Sequence, residues 1–390
     1  METVLNALSA DLEQMKAWRH HMHRHPEVAF DEHNTARYIA ALLREWGYEV
    51  TEGVGKTGVV ARMSCGDGGK SIGLRADTDA LAVQEMIESA HKSTLAGKSH
   101  TCGHDGHSAM LLGAAQHLAR TRAFNGTVNL IFQPAEEIMG GAVAMIKEGL
   151  FERFPMDAVF GMHNMPGLER GKLYFTAGPI MAAVDNWEIV LTGKGSHGSM
   201  PEKSIDPVVA GASLVMALQT IVSRNVGAKD SAVVSVGAFL AGDAGNVIPQ
   251  TATLRLSIRS SAPETRKLVL DRVKAITAAQ AASFGVSHEI REGAAGAVLV
   301  NDPEQTLECA DVARSLLGED QVVMPGPTFM GSEDFAYYAQ QKPGTYCFIG
   351  NGDTAGLHHP AMADLPAQGG GALAVPPEVR RVFLRGPSAQ

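Results

Sequence analysis

Leu5, Leu8, Leu12, Met15, Trp18 and Met22 recur every three or four residues, which predicts an amphipathic helix at the start of the chain. It should stop near His25-Pro26, since proline disfavours helical backbone in the residue before it. A second helix is expected from about Glu32 to Trp46, with Gly47 as its C-terminal cap. "TGVVARM" and "SIGLRA" read as strands, "HSAMLLGAAQHLAR" as a helix, "TVNLIF" as a strand, "GGAVAMIKEGL" as a helix and "DAVFGM" as a strand. Strands alternating with helices predict an α/β sheet, largely parallel.

Near residue 184 the pattern changes. "AVDNWEIVLTG", "AVVSVGAFLAG" and "TATLRLSIRS" alternate apolar and polar positions, and helices are expected from about Pro207 to Arg224 and over "PETRKLVLDRVKAITAAQAASFG". The α/β pattern then resumes, with a helix from about Pro303 to Leu317 and a strand at "GTYCFIG". The expected organisation is one larger domain, residues 1–183 and 297–390, interrupted by a smaller α+β domain over residues 184–296. The stretch after about residue 361 is rich in Gly, Pro and Ala with only a weak apolar period, and most of it is expected to be poorly ordered.

A length of 390 residues suits two domains. A net charge of -9 and 6% aromatics argue against nucleic acid or an anionic membrane as partner. No stretch of about 18 apolar residues is read, so no membrane span is expected. The start carries no basic segment leading into an apolar run, so no signal peptide is expected. Cys65, Cys102, Cys309 and Cys347 are scattered, form no disulfide framework and suit the reducing cytoplasm.

Ligand-type side chains gather in four places: Cys102/His104/Asp105/His107 in "HTCGHDGH", Glu136-Glu137 in "FQPAEE", His163 in "FGMHN" and His358-His359 in "LHHP". Three of them follow expected strands, and open α/β sheets bind ligands beyond the carboxyl ends of their strands. Thiolate, imidazole and carboxylate together suit Zn, Co, Mn or Ni. The helix starting after Cys102 is expected to favour its thiolate. Glu136 and Glu137 are adjacent and must point different ways, so one can bind metal while the other takes a proton from a water acidified there. That is the logic of hydrolysis. His20, His21, His23 and His25 look metal-like as well, but helix positions so close face different directions, and they are read as surface and structural. Cys65, Cys309 and Cys347 are read as packing residues.

"LRADTDAL", "GKSHTCGHDGHSAMLLGAA", "FQPAEE", "GMHN", "GKGSHGSMPEKSIDP", "GNVIPQTATLRLSIRS", "GSEDFAYY" and "LHHP" occur in this order. Together they resemble the M20 metallopeptidase family, in particular its amidohydrolase branch, over about residues 5 to 360. The resemblance implies a zinc-peptidase-like catalytic α/β domain with two divalent metal ions per subunit, and an inserted lid domain that also forms a homodimer or homotetramer. It implies Cys102, His104, Glu137, His163 and His358 as metal ligands and Glu136 as general base. His197 would stabilise the oxyanion of the tetrahedral intermediate. Asn246 and Arg259 match lid positions near the substrate carboxylate, and Arg suits that task through its bidentate fork. Asp105 and His107 would orient the loop, and Glu333 and Asp334 would buttress the metal site or cap the next helix.

The implied activity is hydrolysis of the amide of N-acyl amino acids in the cytoplasm. Alternatives are a dipeptidase or carbamoylase of the same family, or a non-catalytic metal-binding protein. Three stretches depart from the family pattern. Thr78 stands where Met is more usual, Ile138-Met139 stand where glycine is usual, and the tail after "LHHP" lacks the family's closing strand and helix.

Overall fold

The structure, a computed structural model, describes residues 10–362. The tail beyond residue 362, and Leu5 and Leu8 of the first expected helix, lie outside the described residues. Contacts along the chain separate two compact units. One comprises Met1–Gly178, Val300–Pro327 and Asp334–Gln390; the other comprises Pro179–Leu299 and Thr328–Glu333.

The first unit contains helices α1 (Leu12–Arg24), α2 (His33–Glu45), α3 (His104–Thr121), α4 (Gly141–Lys147) and α5 (Pro303–Leu317). Its eight-stranded sheet is built from β1 (Glu49–Val54), β2 (Gly58–Cys65), β3 (Ser71–Asp77), β4 (Gly126–Gln133), β5 (Ala158–Met165), β6 (Leu173–Tyr174), β7 (Val322–Val323) and β8 (Gly344–Gly350). The order across the sheet is β1-β2-β4-β3-β5-β8-β6-β7. The centre, β4-β3-β5-β8, is parallel, as is the edge pair β6–β7. The β1–β2, β2–β4 and β8–β6 pairs are antiparallel, so the sheet is mixed rather than largely parallel.

Burial explains the pattern of each element. Central strands β3, β4 and β8 are buried on both faces and read as near-continuous apolar runs. α3 is buried along almost its whole length, with Leu111, Leu112 and Leu118 in one cluster with Trp18, Leu43, Leu130 and Phe160. Fully burying a side chain such as Leu112 contributes roughly 1.5–3 kcal/mol. The parallel centre matters for function because it sends the C-terminal ends of β3, β4, β5 and β8 to one edge.

The second unit is an antiparallel sheet in the order Ala232–Leu240, Thr251–Ser260, Ala183–Thr192, Ser287–Gly296. Helices Pro207–Leu218 and Pro263–Phe284 share its core with Trp187, Ile189, Leu191, Leu254 and Leu256. The first of these helices is capped by Asp206, whose carboxylate accepts from Val208 N at 2.8 Å and Val209 N at 3.3 Å. The other sheet face carries Glu188 between Arg255 and Arg291 at 3.1 and 3.0 Å.

One expectation needs correction. Pro207–Asn225 is, by length and composition, apolar enough to cross a membrane. It is interrupted at Gln219, buries Ala210, Leu214, Leu218 and Ile221 in the unit's core and leaves Val209 and Met216 exposed.

Candidate metal centre

The loop after β3 and the start of α3 supply the first donors. Gly103 is the N-cap of α3 with φ of 94°, a left-handed conformation open to glycine at little cost. A Cβ there would lie 2.3 Å from Asn164 Oδ1, so a side chain is also excluded by space. This turn places Cys102 and His104 on either side of one glycine, both buried. β5 delivers His163 near its end, and its Nε2 lies 3.5 Å from Cys102 Sγ.

The loop after β4 supplies the carboxylates. Ala135 and Met139 adopt φ of 51° and 56° on either side of Glu136-Glu137. Gly141 closes the turn so tightly that a Cβ would meet Pro134 O at 1.6 Å. Buried Glu32 holds the turn by accepting from Ala135 N at 2.9 Å and from Thr57 Oγ1 at 2.6 Å. His104, Glu136 and Glu137 each place a donor atom within 4.8 Å of the others. Although the two glutamates are adjacent, their carboxylates thus converge near one imidazole.

His358 reaches the same place from the loop after β8. Its Nε2 lies 3.3 Å from Glu137 Oε2, and its backbone N–H donates to Thr101 O at 2.8 Å. His359 turns away, its ring Nδ1 accepting from Ala361 N at 3.1 Å. Cys102, Glu137 and His358 form one cluster of converging donors, and Cys102, His104 and His163 form another. The two clusters share Cys102.

The tautomers fit metal binding. His163 Nδ1 donates to Asn164 O at 2.6 Å, and His104 Nδ1 donates to Asp79 Oδ1 at 3.2 Å. Each ring is thereby fixed with Nε2 facing the cluster. His104 Nε2 and Glu137 Oε1 are buried without a hydrogen-bond partner. Such orphaned buried groups are costly unless something completes them, and a divalent cation held by His104 and Glu137 would do so.

Electrostatics point the same way. Burial disfavours the imidazolium of His104, but Asp77, Cys102 and Asp79 outweigh it and raise its pKa well above the ordinary value. Burial drives His163 well below the ordinary histidine range, leaving a neutral imidazole ready to ligate. Glu137 resists burial because His358 and His104 favour its carboxylate. Burial pushes the Cys102 thiol up, so the helix start does not by itself make it a thiolate; a cation held there would favour that form.

Asp334 buttresses the cluster as expected, whereas Asp77 and Asp79 were missed at the sequence level. Asp77 accepts from His107 Nδ1 at 2.6 Å and Arg75 Nη1 at 2.7 Å, and lies 3.8 Å from His104 Nε2. Asp79 also accepts from Glu137 N at 3.0 Å, joining the two ligand loops. Asp334 accepts from Arg75 Nη2, Gln133 Nε2 and Ala142 N at 3.2, 2.7 and 2.9 Å. The signal was in "LRADTDAL", where two carboxylates sit at and just beyond a strand's end.

Asp105 faces away from the cluster, towards Arg19 Nε at 3.0 Å and His23 Nδ1 at 2.8 Å. His23 also reaches Glu85 Oε1 at 3.2 Å. It is fully buried and structural rather than at the surface; His21 and His25 are exposed as expected. His100, which carried no signal, is buried with both ring nitrogens unpartnered, and burial lowers its pKa to about 3.

In the second unit, His197 pairs with Val247 in a two-stranded ribbon, which sets it beside Asn246. Both are exposed, and His197 Nδ1 accepts from Ser199 N at 3.2 Å. Arg259 is half-buried and donates to Ser332 Oγ at 2.9 Å and Met330 O at 3.4 Å.

A sulfur, imidazole and carboxylate cluster beside a buried glutamate, at the C-terminal edge of a parallel sheet, defines a metal-dependent hydrolase. The chain belongs to Peptidase family M20/M25/M40, whose pattern matches residues 73–366, and it is a metal-dependent amidohydrolase. It is 46% identical over 341 residues to hippurate hydrolase of Campylobacter jejuni, covering 87% of this chain and 89% of that one. It is 38% identical over 356 residues to N-acetyl-L-cysteine deacetylase of Bacillus subtilis, covering 91% and 84%. Among solved structures, the Bacillus subtilis YXEP protein, a dinuclear metal binding peptidase from the M20 family, superposes with a TM-score of 0.79 at 33% identity. That superposition covers 94% of this chain and 98% of that one.

Proposed function

We propose that the chain hydrolyses the amide bond of N-acyl amino acids, with Cys102, His104, Glu137, His163 and His358 holding two divalent ions and Glu136 as general base. The observation that carries this reading is the convergence of orphaned buried donors, His104 Nε2 and Glu137 Oε1, beside the buried carboxylate of Glu136. The activities named for the Campylobacter and Bacillus relatives support the substrate class.

Divalent ions at this cluster supply acidified water and a polarised carbonyl. Glu136 takes the proton of the attacking water and passes it to the amide nitrogen, so carboxylate and amine leave separately. His163 and His104 are oriented by Asn164 O and Asp79, and Glu137 is held by Asp79 through its backbone. Cys102 gives up its proton when it ligates. The donor set suits Mn, Zn, Co or Ni.

Residues 184–296 serve in this reading as a lid and dimerisation domain. His197 stabilises the oxyanion, and Asn246 and Arg259 receive the substrate carboxylate. The ribbon that sets His197 beside Asn246 supports a shared task for the two. All four cysteines are free, which supports the cytoplasm as the site of action.

Glu136→Gln is expected to reduce kcat by roughly a hundredfold or more while metal content, read by elemental analysis, stays as in the parent. Hydrolysis retained in that variant would overturn the role. Turnover of acyl-amino acids, dipeptides and carbamoyl-amino acids, measured side by side, separates this reading from a dipeptidase or carbamoylase.

A further inference from the structure

Among the five candidate ligands, only His358 has a left-handed backbone, with φ of 64° in a residue that is not glycine. Such a conformation is unfavourable and persists only where the surroundings over-determine it. The loop that carries His358 forms no helix or strand, so the constraint has to come from another segment. Two hydrogen bonds supply it. His358 N–H donates to Thr101 O at 2.8 Å, and two residues further on Pro360 O accepts from Met86 N at 3.0 Å. Both partners belong to one stretch, residues 81–101, which begins just after Asp79 and ends just before Cys102.

That stretch is itself irregular, and a set of separate hydrogen bonds gives it shape. Leu81 and Ser99 exchange two backbone bonds of 3.0 Å, which close its base. Thr94 donates from N at 2.9 Å and from Oγ1 at 2.6 Å to Arg24 O, one of the carbonyls that the end of α1 leaves without a helical partner. Gln84 Oε1 accepts from Gly97 N at 2.8 Å. The deepest of these residues is Glu85. Its carboxylate is buried, accepts from Ser93 N at 2.7 Å through one oxygen, and lies 3.2 Å from His23 Nε2 through the other. A buried carboxylate with both oxygens engaged has one orientation, and it fixes the peptide unit that follows. The following residue is Met86, whose side chain is 71% exposed; its backbone N–H is what reaches Pro360.

We infer that Glu85 is a positioning residue for His358: it closes the turn from Glu85 to Ser93, and that turn presents Met86 N to the loop of His358. This rests on the reading of His358 as a metal ligand. His23 supports Glu85 but is not the essential part, because the Ser93 N–H remains when the imidazole is removed.

The test uses the full chain as parent, Glu85→Ala, Glu85→Gln and Met86→Pro. It reads the affinity for Mn and Zn by competition with a chelator, kcat and KM for N-benzoylglycine, and amide hydrogen exchange over residues 356–361 in metal-free protein. Glu85→Ala is expected to weaken the looser of the two ions about ten- to a hundredfold and to lower kcat by a similar factor, with KM little changed. Exchange over residues 356–361 should quicken by about tenfold. Glu85→Gln keeps an oxygen for Ser93 N and should restore all three towards the parent. Met86→Pro removes the N–H that reaches Pro360 from an exposed position, so it keeps the fold even if Glu85→Ala does not, and it should reproduce the loss. Ion affinity and exchange as in the parent, in either folded variant, overturn the proposal. So does a fall in urea stability with both of these unchanged, or a Gln variant as impaired as the Ala variant. If His358→Ala itself keeps both ions at parental affinity, the ligand reading fails, and exchange over residues 356–361 still decides whether Glu85 holds the loop.

Discussion

Two histidine-rich neighbourhoods lie on either side of the start of α3. In one, His104, His163 and His358 converge with Cys102 and Glu137, and polar atoms are left without partners. In the other, His23 stands between Asp105 at 2.8 Å and Glu85 at 3.2 Å, and His20 stacks on His91 at 4.1 Å between ring centroids. Both are dense in imidazole and carboxylate. Both keep buried atoms without a hydrogen-bond partner, His104 Nε2 and Glu137 Oε1 in the first, His100 and Asp105 Oδ1 in the second; among the described residues, only the first aims several donor types at common points. Density of ligand-type residues does not mark a metal site, whereas convergence of unsatisfied donors does.

The largest expected effect separates the two directly. Dialysis against a chelator should reduce hydrolysis to background, and adding back Mn, Zn, Co or Ni one at a time should restore it and identify the preferred ion. Turnover that survives complete removal, checked by elemental analysis, would remove the basis of the comparison. Next come paired substitutions. His104→Ala should lower metal stoichiometry, whereas His23→Ala should keep the metal and lose about 3 kcal/mol of stability, because Glu85 loses its buried cationic partner and Asp105 is left with Arg19 alone. Denaturant unfolding and metal analysis on both variants decide the matter; loss of metal in the His23 variant at unchanged stability would reverse it.

The second neighbourhood also carries a pH signature. Burial disfavours the charged ring of His23, but Asp105 and Glu85 prevail and raise its pKa from 6.5 to about 9. Because the folded value lies above the unfolded one, its contribution is fully present below about pH 6.5 and is lost as pH rises through about 9. At about 1.36 kcal/mol per unit this amounts to roughly 3 kcal/mol. Urea midpoints measured between these limits should fall in the parent and stay flatter in His23→Gln; parallel profiles would refute the assignment. A smaller loss, about 2 kcal/mol, is expected for Gly103→Ala, which combines a left-handed backbone with a clash against Asn164. The smallest effect belongs to His359→Ala, which should change kcat/KM by no more than about twofold, as a surface substitution does. His358→Ala should lose most activity, and equal losses in the two variants would contradict the choice between these neighbours.

The central elements were legible because burial on both faces imposes an apolar pattern. The strand expected at "GTYCFIG" is β8, residue for residue, and the helix expected from Pro303 to Leu317 is α5. Among the longer strands, β1 and Ser287–Gly296 escaped notice, both at sheet edges. Their residues are mostly exposed, so burial selects no alternation there. The candidate ligands were legible through the order of their motifs. Their supports were not: Asp77, Asp79 and Asn164 are ordinary polar residues until folding sets them against His104, His107 and His163. The depth of His23 was likewise invisible, because helical spacing does not say that two carboxylates from other segments will close over it.

His358 is the last of the candidate ligands along the chain, and it is seated only when its N–H finds Thr101 O. The centre therefore cannot be complete on a nascent chain until the loop after β8 has been made. At ~5–20 residues per second, the wait between the emergence of Cys102 and that of His358 is on the order of tens of seconds. Through that interval Cys102 stands as an uncommitted thiol on an unfinished sheet, open to oxidants and stray ions. On the proposed ligand set, a chain released before residue 358 would fold most of its central sheet around a centre that lacks one of its ligands.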